Sequence, residues 1–159
     1  GETMGTSAGG KTEEGKFLRI PGTNPFFPAD DSFQGNRFYE LLKSMPDVKI
    51  FLMNTGRIGG NENTESSIKV KISHSSAILS GVITNTIKWK ADNEFGYELA
   101  QEIPGIDDLK LLNPRLLYTS HNRLSEYERL VQQIKYQRIE YLNGYNNLES
   151  DIKLALHPN

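Results

Sequence analysis

IFLMNTGRIGG, Ile50 to Gly60, is the stretch on which the fold turns. The apolar run that leads into it, Val48 to Asn54, has strand length and no alternation, so it predicts a strand buried on both faces. That strand opens into TGRIGGNENTESS, a polar loop rich in glycine, and order resumes at IKVKI, where strict alternation from Ile68 to Ile72 predicts a half-buried strand. Ser73 or His74 is then placed to cap a helix over SSAILSGVITN, with Ala77, Ile78, Gly81 and Val82 on one face. Strand, glycine loop, strand and helix in this order imply an α/β (mixed α+β) fold.

Upstream, SFQGNRFYELLKSM places Phe38, Leu41, Leu42 and Met45 at helical spacing before Pro46, which predicts a short helix. Residues 1–34 are rich in Gly, Pro, Thr, Ser and Asn, with short apolar pieces at Phe17-Leu18 and Phe26-Phe27, and read as an extended, lid-like loop. Residues 35–159 then form the folded segment. Downstream, TIKWKA and FGYELA predict two short strands around a turn at Asp92-Asn93, followed by a connection punctuated by Pro104 and Pro114. The most regular pattern runs from Leu124 to Leu142, an amphipathic helix that Gly144 would end in the left-handed conformation, with a short tail helix over Leu148 to Leu156.

Composition narrows the function classes. The chain has 159 residues, enough for one modest core, with 36% hydrophobic and 24% charged residues. Its 18 basic and 20 acidic residues leave a formal charge of -2, so no global field draws in nucleic acid or an anionic membrane surface. The sequence has no cysteine, which excludes disulfides, thiolate metal sites and cysteine nucleophiles, and the cytoplasm is the expected compartment. It carries no signal-peptide pattern and no apolar run of bilayer-spanning length, and its first methionine stands at position 4, as expected of a segment cut from a longer protein.

GTSAGGKT, Gly5 to Thr12, spells a phosphate-binding loop letter for letter. Such a loop works when a buried strand delivers it and its Lys and Thr open a long helix whose N-terminus faces the phosphates. Only Gly1 to Met4 precede it here, and Gly15, Pro21 and Gly22 interrupt the stretch where the helix should run. The spelling therefore reads as a coincidence within a glycine-rich loop.

The second glycine loop carries a family likeness. Asn54-Thr55-Gly56, the loop glycines Gly59-Gly60, and then Ile72, His74, Ser75 and Ala77 follow the order of the C-terminal region of ATP-dependent phosphoenolpyruvate carboxykinase, with Arg57 where that family has Trp. DNEFGYELAQEIPGIDDLKLLNPR is similar to the Phe-Gly-Phe, Pro-Gly-Val and Leu-Asp-Pro-Arg stretches further along, and NPFFPADDSFQGNRFYELLKSM is similar to the approach to the Asn-Thr-Gly strand. The colinear order, more than any one motif, carries the resemblance.

The resemblance implies the C-terminal part of a carboxykinase-like fold, and a mobile loop beside an active site over Gly5 to Pro28. It implies a purine nucleotide pocket walled by Lys69, Val70 and Ser75, with Arg57 at the root of the loop. Lys69 takes the place of an arginine and Ser75 that of a threonine, so the hydroxyl is kept while the planar fork is lost. ATP or another purine nucleotide with a divalent metal is the implied cofactor set, and a small carboxylate the implied substrate. The phosphate-binding lysine, the metal ligands and the substrate arginines of the family precede this region, so the chain supplies no catalytic or metal residue of that set and is not competent alone.

Plainer readings stand beside these. Lys69 and Lys71 on an alternating strand suit a solvated face. His74 lacks a second ligand at metal spacing and suits a helix start satisfied by backbone, and nothing assigns a role to His121 or His157. Asp107-Asp108 flank a Pro-Gly turn, where carboxylates bond locally to backbone. Trp89, Phe95 and Tyr97 suit cross-strand packing, and the tyrosines Tyr127, Tyr136, Tyr141 and Tyr145 lack the basic stripe of a nucleic-acid platform. Three functions follow: a nucleotide-side segment of a carboxykinase-like enzyme, a non-catalytic scaffold that keeps the fold without the nucleotide, and a small P-loop NTPase using Lys11. Lys11→Ala separates the third from the first: Mg-ATP affinity measured by calorimetry is expected to stay unchanged, and its loss would restore the P-loop reading.

Overall fold

The structure, a computed structural model, describes residues 28–156 and the backbone of two short strands ahead of them. These strands, β1 (Glu2–Met4) and β2 (Phe17–Arg19), pair antiparallel with Thr3 opposite Leu18, within the segment that composition alone suggested to be loop. GTSAGGKT and Phe26-Phe27 lie outside the described residues. The chain divides into two compact units, Gly1–Lys49 with Glu140–His157, and Ile50–Ile139 with Pro158–Asn159.

The first unit is organised by α1 (Asp31–Ser44), whose start is fixed by Asp30: its carboxylate accepts the Ser32 N–H at 2.7 Å. The helix thus begins ahead of residue 35. It stops just before Pro46, as expected, but Phe38 and Met45 of the anticipated apolar face are exposed. Its contacts are polar instead. The Asn36 amide donates to the Asn147 carbonyl and accepts the Glu149 N–H, both at 2.9 Å, and Tyr39 donates to Asp151 at 2.6 Å. Gly35 makes this approach possible, since a Cβ there would stand 2.8 Å from Leu148 Cδ1.

In the second unit, β3 (Arg57–Ile58) and β4 (Ile68–Lys69) pair antiparallel, with Arg57 opposite Lys69 and Ile58 opposite Ile68. Helix α2 (Ile72–Ile83) follows, then β5 (Lys88–Ala91) and β6 (Glu98–Glu102), an antiparallel pair with an irregular step between Lys88 and Trp89. A 3-10 turn at Leu109–Leu111 leads to α3 (Pro114–Ser120) and to the 20-residue α4 (Leu124–Asn143). A last helix, α5 (Ser150–Leu154), belongs to the first unit. Ile87, Ile103 and Ile106 form a core against which Ala77, Ile78 and Val82 of α2 pack. Gly81 completes that face, because a Cβ there would meet Ile87 Cγ1 at 2.7 Å.

Several local expectations are corrected. Val48 to Asn54 is not a buried strand: it takes no regular structure, and Val48, Ile50, Phe51 and Met53 are exposed, with Leu52 92% exposed. A doubly buried strand needs flanking strands, and no strand among the described residues pairs with this run. The alternating strand is also cut short, because Ile72 already opens α2, although the Val70 N–H still bonds in register to the Gly56 carbonyl at 2.9 Å. Lys71, not Ser73 or His74, is the cap residue of α2; His74 reaches back so that its Nδ1 accepts the Lys71 N–H at 3.2 Å. Gly144 ends α4 without entering the left-handed region; among the described residues the glycines that do are Gly59, Gly60, Gly96 and Gly105.

Leu117→Ala is expected to lower stability by about 2–5 kcal/mol in thermal or denaturant unfolding, since the side chain is 1% exposed. Leu52→Ala, at the opposite extreme of exposure, is expected to stay within about 0.5 kcal/mol. Comparable losses at the two sites would overturn this assignment of the core.

Candidate functional site

The residues singled out from the sequence gather on the hairpin made by β3, the glycine loop and β4, and on the helix it feeds. Asn54 begins the turn: its Oδ1 accepts the Gly56 N–H at 2.8 Å and its amide donates to the Arg57 carbonyl at 3.1 Å. Gly59 has φ +86° and a Cβ there would stand 2.6 Å from Leu117 Cδ2, while Gly60 has φ +142° and faces Thr64. Only glycine takes both conformations without strain.

Beyond the glycines the loop closes on itself. Asn61 Oδ1 accepts from the Asn63 N–H at 3.0 Å and from the Thr64 hydroxyl at 3.2 Å, and the Ser67 hydroxyl donates to the Asn61 carbonyl at 2.7 Å. Arg57 braces it from within, with Nε on Ser67 Oγ at 3.0 Å and Nη2 on Ser67 Oγ and O at 2.8 and 3.2 Å. The loop is therefore a turn built from its own side-chain and backbone hydrogen bonds, with its tip exposed.

Its exit presents the candidate contacts. Lys69 is exposed across from Arg57, Val70 is buried at 8% exposure, and Ser75 is half-buried in the first turn of α2, its N–H donating to the Lys71 carbonyl at 3.2 Å. The structure thus brings Arg57, Lys69 and Val70 together by strand pairing and places Ser75 on the helix that begins directly after them. His74 is engaged with backbone, and the Asp108 carboxylate accepts the Lys110 N–H at 3.0 Å, the local bonding that the turn chemistry implied. Phe95 and Tyr97 stack at 5.8 Å with the Arg138 guanidinium 5.1 Å from Phe95, and the Trp89 ring lies 5.6 Å from Phe51, so these aromatics serve packing.

A second arginine, which the sequence reading did not single out, holds the loop from outside. Arg123 follows Asn122, whose φ of 56° turns the chain between α3 and α4. Its Nη1 donates to the Gly59 carbonyl at 2.9 Å and to the Ser66 hydroxyl, while Nε and Nη2 grip both oxygens of Glu126 at 2.8 Å. The guanidinium lies 4.6 Å from the centre of the Tyr118 ring. The one local signal for it is the Arg123–Glu126 spacing at the start of a helix; its loop contacts lie far away in sequence.

Among the described residues no group of three or more His, Asp or Glu side chains is placed to hold a metal ion, so these residues do not by themselves make up the cation site implied by the resemblance. No helix among them is long and apolar enough to cross a membrane.

The described residues define the class: a mixed α/β architecture of helices and two-stranded antiparallel pairs, with a glycine hairpin feeding a helix. The family follows from comparison. A family model described as phosphoenolpyruvate carboxykinase matches residues 1–109. Relatives named phosphoenolpyruvate carboxykinase (ATP) occur in Novosphingobium aromaticivorans, 32% identical over 82% of this chain and 24% of the relative, and in Sinorhizobium fredii, 34% identical over 72% and 21%. One from Aeropyrum pernix is 29% identical over 91% of this chain and 26% of its own. The chain belongs to the phosphoenolpyruvate carboxykinase family and spans about a quarter of the length of these relatives.

The Arg123–Glu126 pair has a pH signature. The bond from Arg123 holds the Glu126 carboxyl below its ordinary value, and the same bond raises Arg123. A carboxyl lowered by folding stabilises fully above its unfolded value of about 4.3, and that contribution is lost as pH falls through the folded value. Glu126→Gln is expected to cost no more than about 1 kcal/mol near neutral pH, the pair being partly exposed, and the gap from wild type should close in acid. A gap that persists in acid, read from unfolding midpoints, would assign the loss to packing instead.

Proposed function

We propose that this chain is the nucleotide-side segment of a phosphoenolpyruvate carboxykinase-like, metal-dependent phosphoryl-transfer protein of the cytoplasm. In this reading Lys69, Val70 and Ser75 border a purine nucleotide, and the divalent cation, the phosphate-binding loop and the carboxylate substrate are held by the rest of a longer protein. The chain alone does not catalyse.

The observation that carries the reading is the built hairpin: a positive-φ glycine turn, braced by Arg57, that delivers an exposed cation, a buried aliphatic side chain and a helix start in succession. A purine ring is flat and apolar on its faces and polar at its edges. An aliphatic wall at Val70 suits the face, an ammonium at Lys69 suits the ring's π-density or an edge acceptor, and the Ser75 hydroxyl can donate or accept. The first turn of α2 adds the positive end of a helix dipole.

One observation favours the alternative, a non-catalytic scaffold. The Arg57 fork is spent on Ser67, so its Nε and Nη2 are committed to the loop and Lys69 remains the cation of the pair that stands exposed. A lysine at that position binds a ligand as a point charge, with less directional gain than a guanidinium.

Calorimetric titration of Mg-ATP and Mg-GTP into the chain and into the longer protein distinguishes the two. Ser75→Ala is expected to weaken nucleotide binding by about 2- to 10-fold, the worth of one hydrogen bond. Binding of neither nucleotide to either protein would leave the scaffold.

A further inference from the structure

We propose that Arg123 is the positioning residue of the glycine loop: it fixes from outside the loop conformation in which Lys69 and Val70 are offered to the nucleotide. This rests on the nucleotide reading above. The claim is geometric. The loop departs at Gly59 and returns at Ser66, and Nη1 of Arg123 bonds to both of these residues, so one planar group spans the two ends of the turn. Arg57 stands on the outgoing strand and places its three bonds on Ser67, so it ties the loop from within, whereas Arg123 reaches both ends from outside the hairpin.

The clamp is itself held rigid. Glu126 takes the other edge of the fork in a two-point contact, Tyr118 lies beneath its face, and the Arg123 N–H donates to the Tyr118 carbonyl at 2.9 Å. Tyr118 is buried, and its neighbour Leu117 fills the space beside Gly59. Orientation is thus passed from the α3–α4 junction to the loop through a fork whose directions are fixed by two carboxylate oxygens and a ring. A lysine would have one ammonium to divide among Gly59, Ser66 and Glu126.

The consequence for binding is one of population. A loop that is correctly folded only part of the time weakens apparent affinity in proportion to that fraction. Arg123 contacts no candidate nucleotide-binding residue, so its effect on the ligand passes through the loop alone.

The test uses two measurements on Arg123→Ala, Arg123→Lys and Ser66→Ala. Amide hydrogen exchange across the glycine loop is read in the 159-residue chain, and Mg-ATP affinity by calorimetry in the longer protein. For Arg123→Ala, loop exchange is expected to quicken and affinity to fall, each by about 10-fold, with α2 and β5–β6 protected as before. Arg123→Lys should recover part of both effects, and Ser66→Ala, which cuts one bond without touching α4, should give a smaller change in the same direction. If Arg123→Ala does not fold, Ser66→Ala decides. Unchanged loop exchange overturns the clamp. Faster exchange with unchanged affinity overturns the positioning role while leaving the nucleotide reading intact. A wild-type longer protein that binds no nucleotide removes that reading and the positioning role with it, while exchange still judges the clamp.

Discussion

Leu117 occupies the volume that a Cβ at Gly59 would need, and the path of the glycine loop depends on that contact. The side chain is fully buried in α3, a helix whose start is set by the Asn113 side chain accepting the Leu116 N–H at 3.0 Å with Pro114 in its first turn. Because Leu117 is fixed by the helix, the loop can pass only as a glycine with positive φ. The same short helix places Tyr118 and, through the turn at Asn122, Arg123. Steric exclusion and charge-assisted bonding therefore act on one carbonyl-bearing residue, Gly59, from α3 and from the turn that follows it, and the loop conformation follows from both.

The arginines are spent on the protein itself. Arg57 braces the loop through Ser67, Arg123 clamps it and holds Glu126, and Arg115 joins Glu94 at 3.0 Å to Glu128 at 2.8 Å, tying the β5–β6 turn to α4. These pairs are partly exposed and each stabilises little, so their role is geometric more than energetic. Planar forks suit this use, since each can bond two groups in fixed directions. Lys69, at the loop's exit, is of the other kind, a flexible stem with a compact charge, and it is exposed. Lys69 thus presents a local cation on a chain whose formal charge is -2.

Periodic elements were legible in the sequence because their signal is local. The spacing from Leu124 to Leu142 gave α4 to within a residue at its C-terminal end, and the Ala77, Ile78, Gly81, Val82 face is the one that packs on the Ile87–Ile103–Ile106 core. The β5–β6 pair was marked by its strands and by Asp92, whose carboxylate accepts the Phe95 N–H at 2.9 Å. What failed depended on partners. Val48 to Asn54 carries the composition of a core strand, but strand formation needs neighbours that no periodicity reveals. The cap of α2 falls at Lys71, directly after Val70, which is still bonded across the hairpin to Gly56. Within the candidate site, the hairpin and its glycines could be read from letters and resemblance. Arg123 could not, since its bonds to Gly59 and Ser66 cross most of the second unit in sequence.

A segment that spans about a quarter of its relatives can still matter to the reaction of a whole protein. Interactions remote from the reacting atoms contribute when they orient the substrate at the centre, and that requires their own geometry to be fixed beforehand. A loop with two positive-φ glycines and a polar tip would by composition be among the more variable parts of a fold. Here it is held by a buried leucine, an internal arginine and an external one, three constraints on a turn that encloses no core. Packing accounts for the first, since the loop covers the buried Leu117, while the two arginines bond to polar and backbone groups. Under the proposed nucleotide reading, such polar braces are what a positioned binding edge would require.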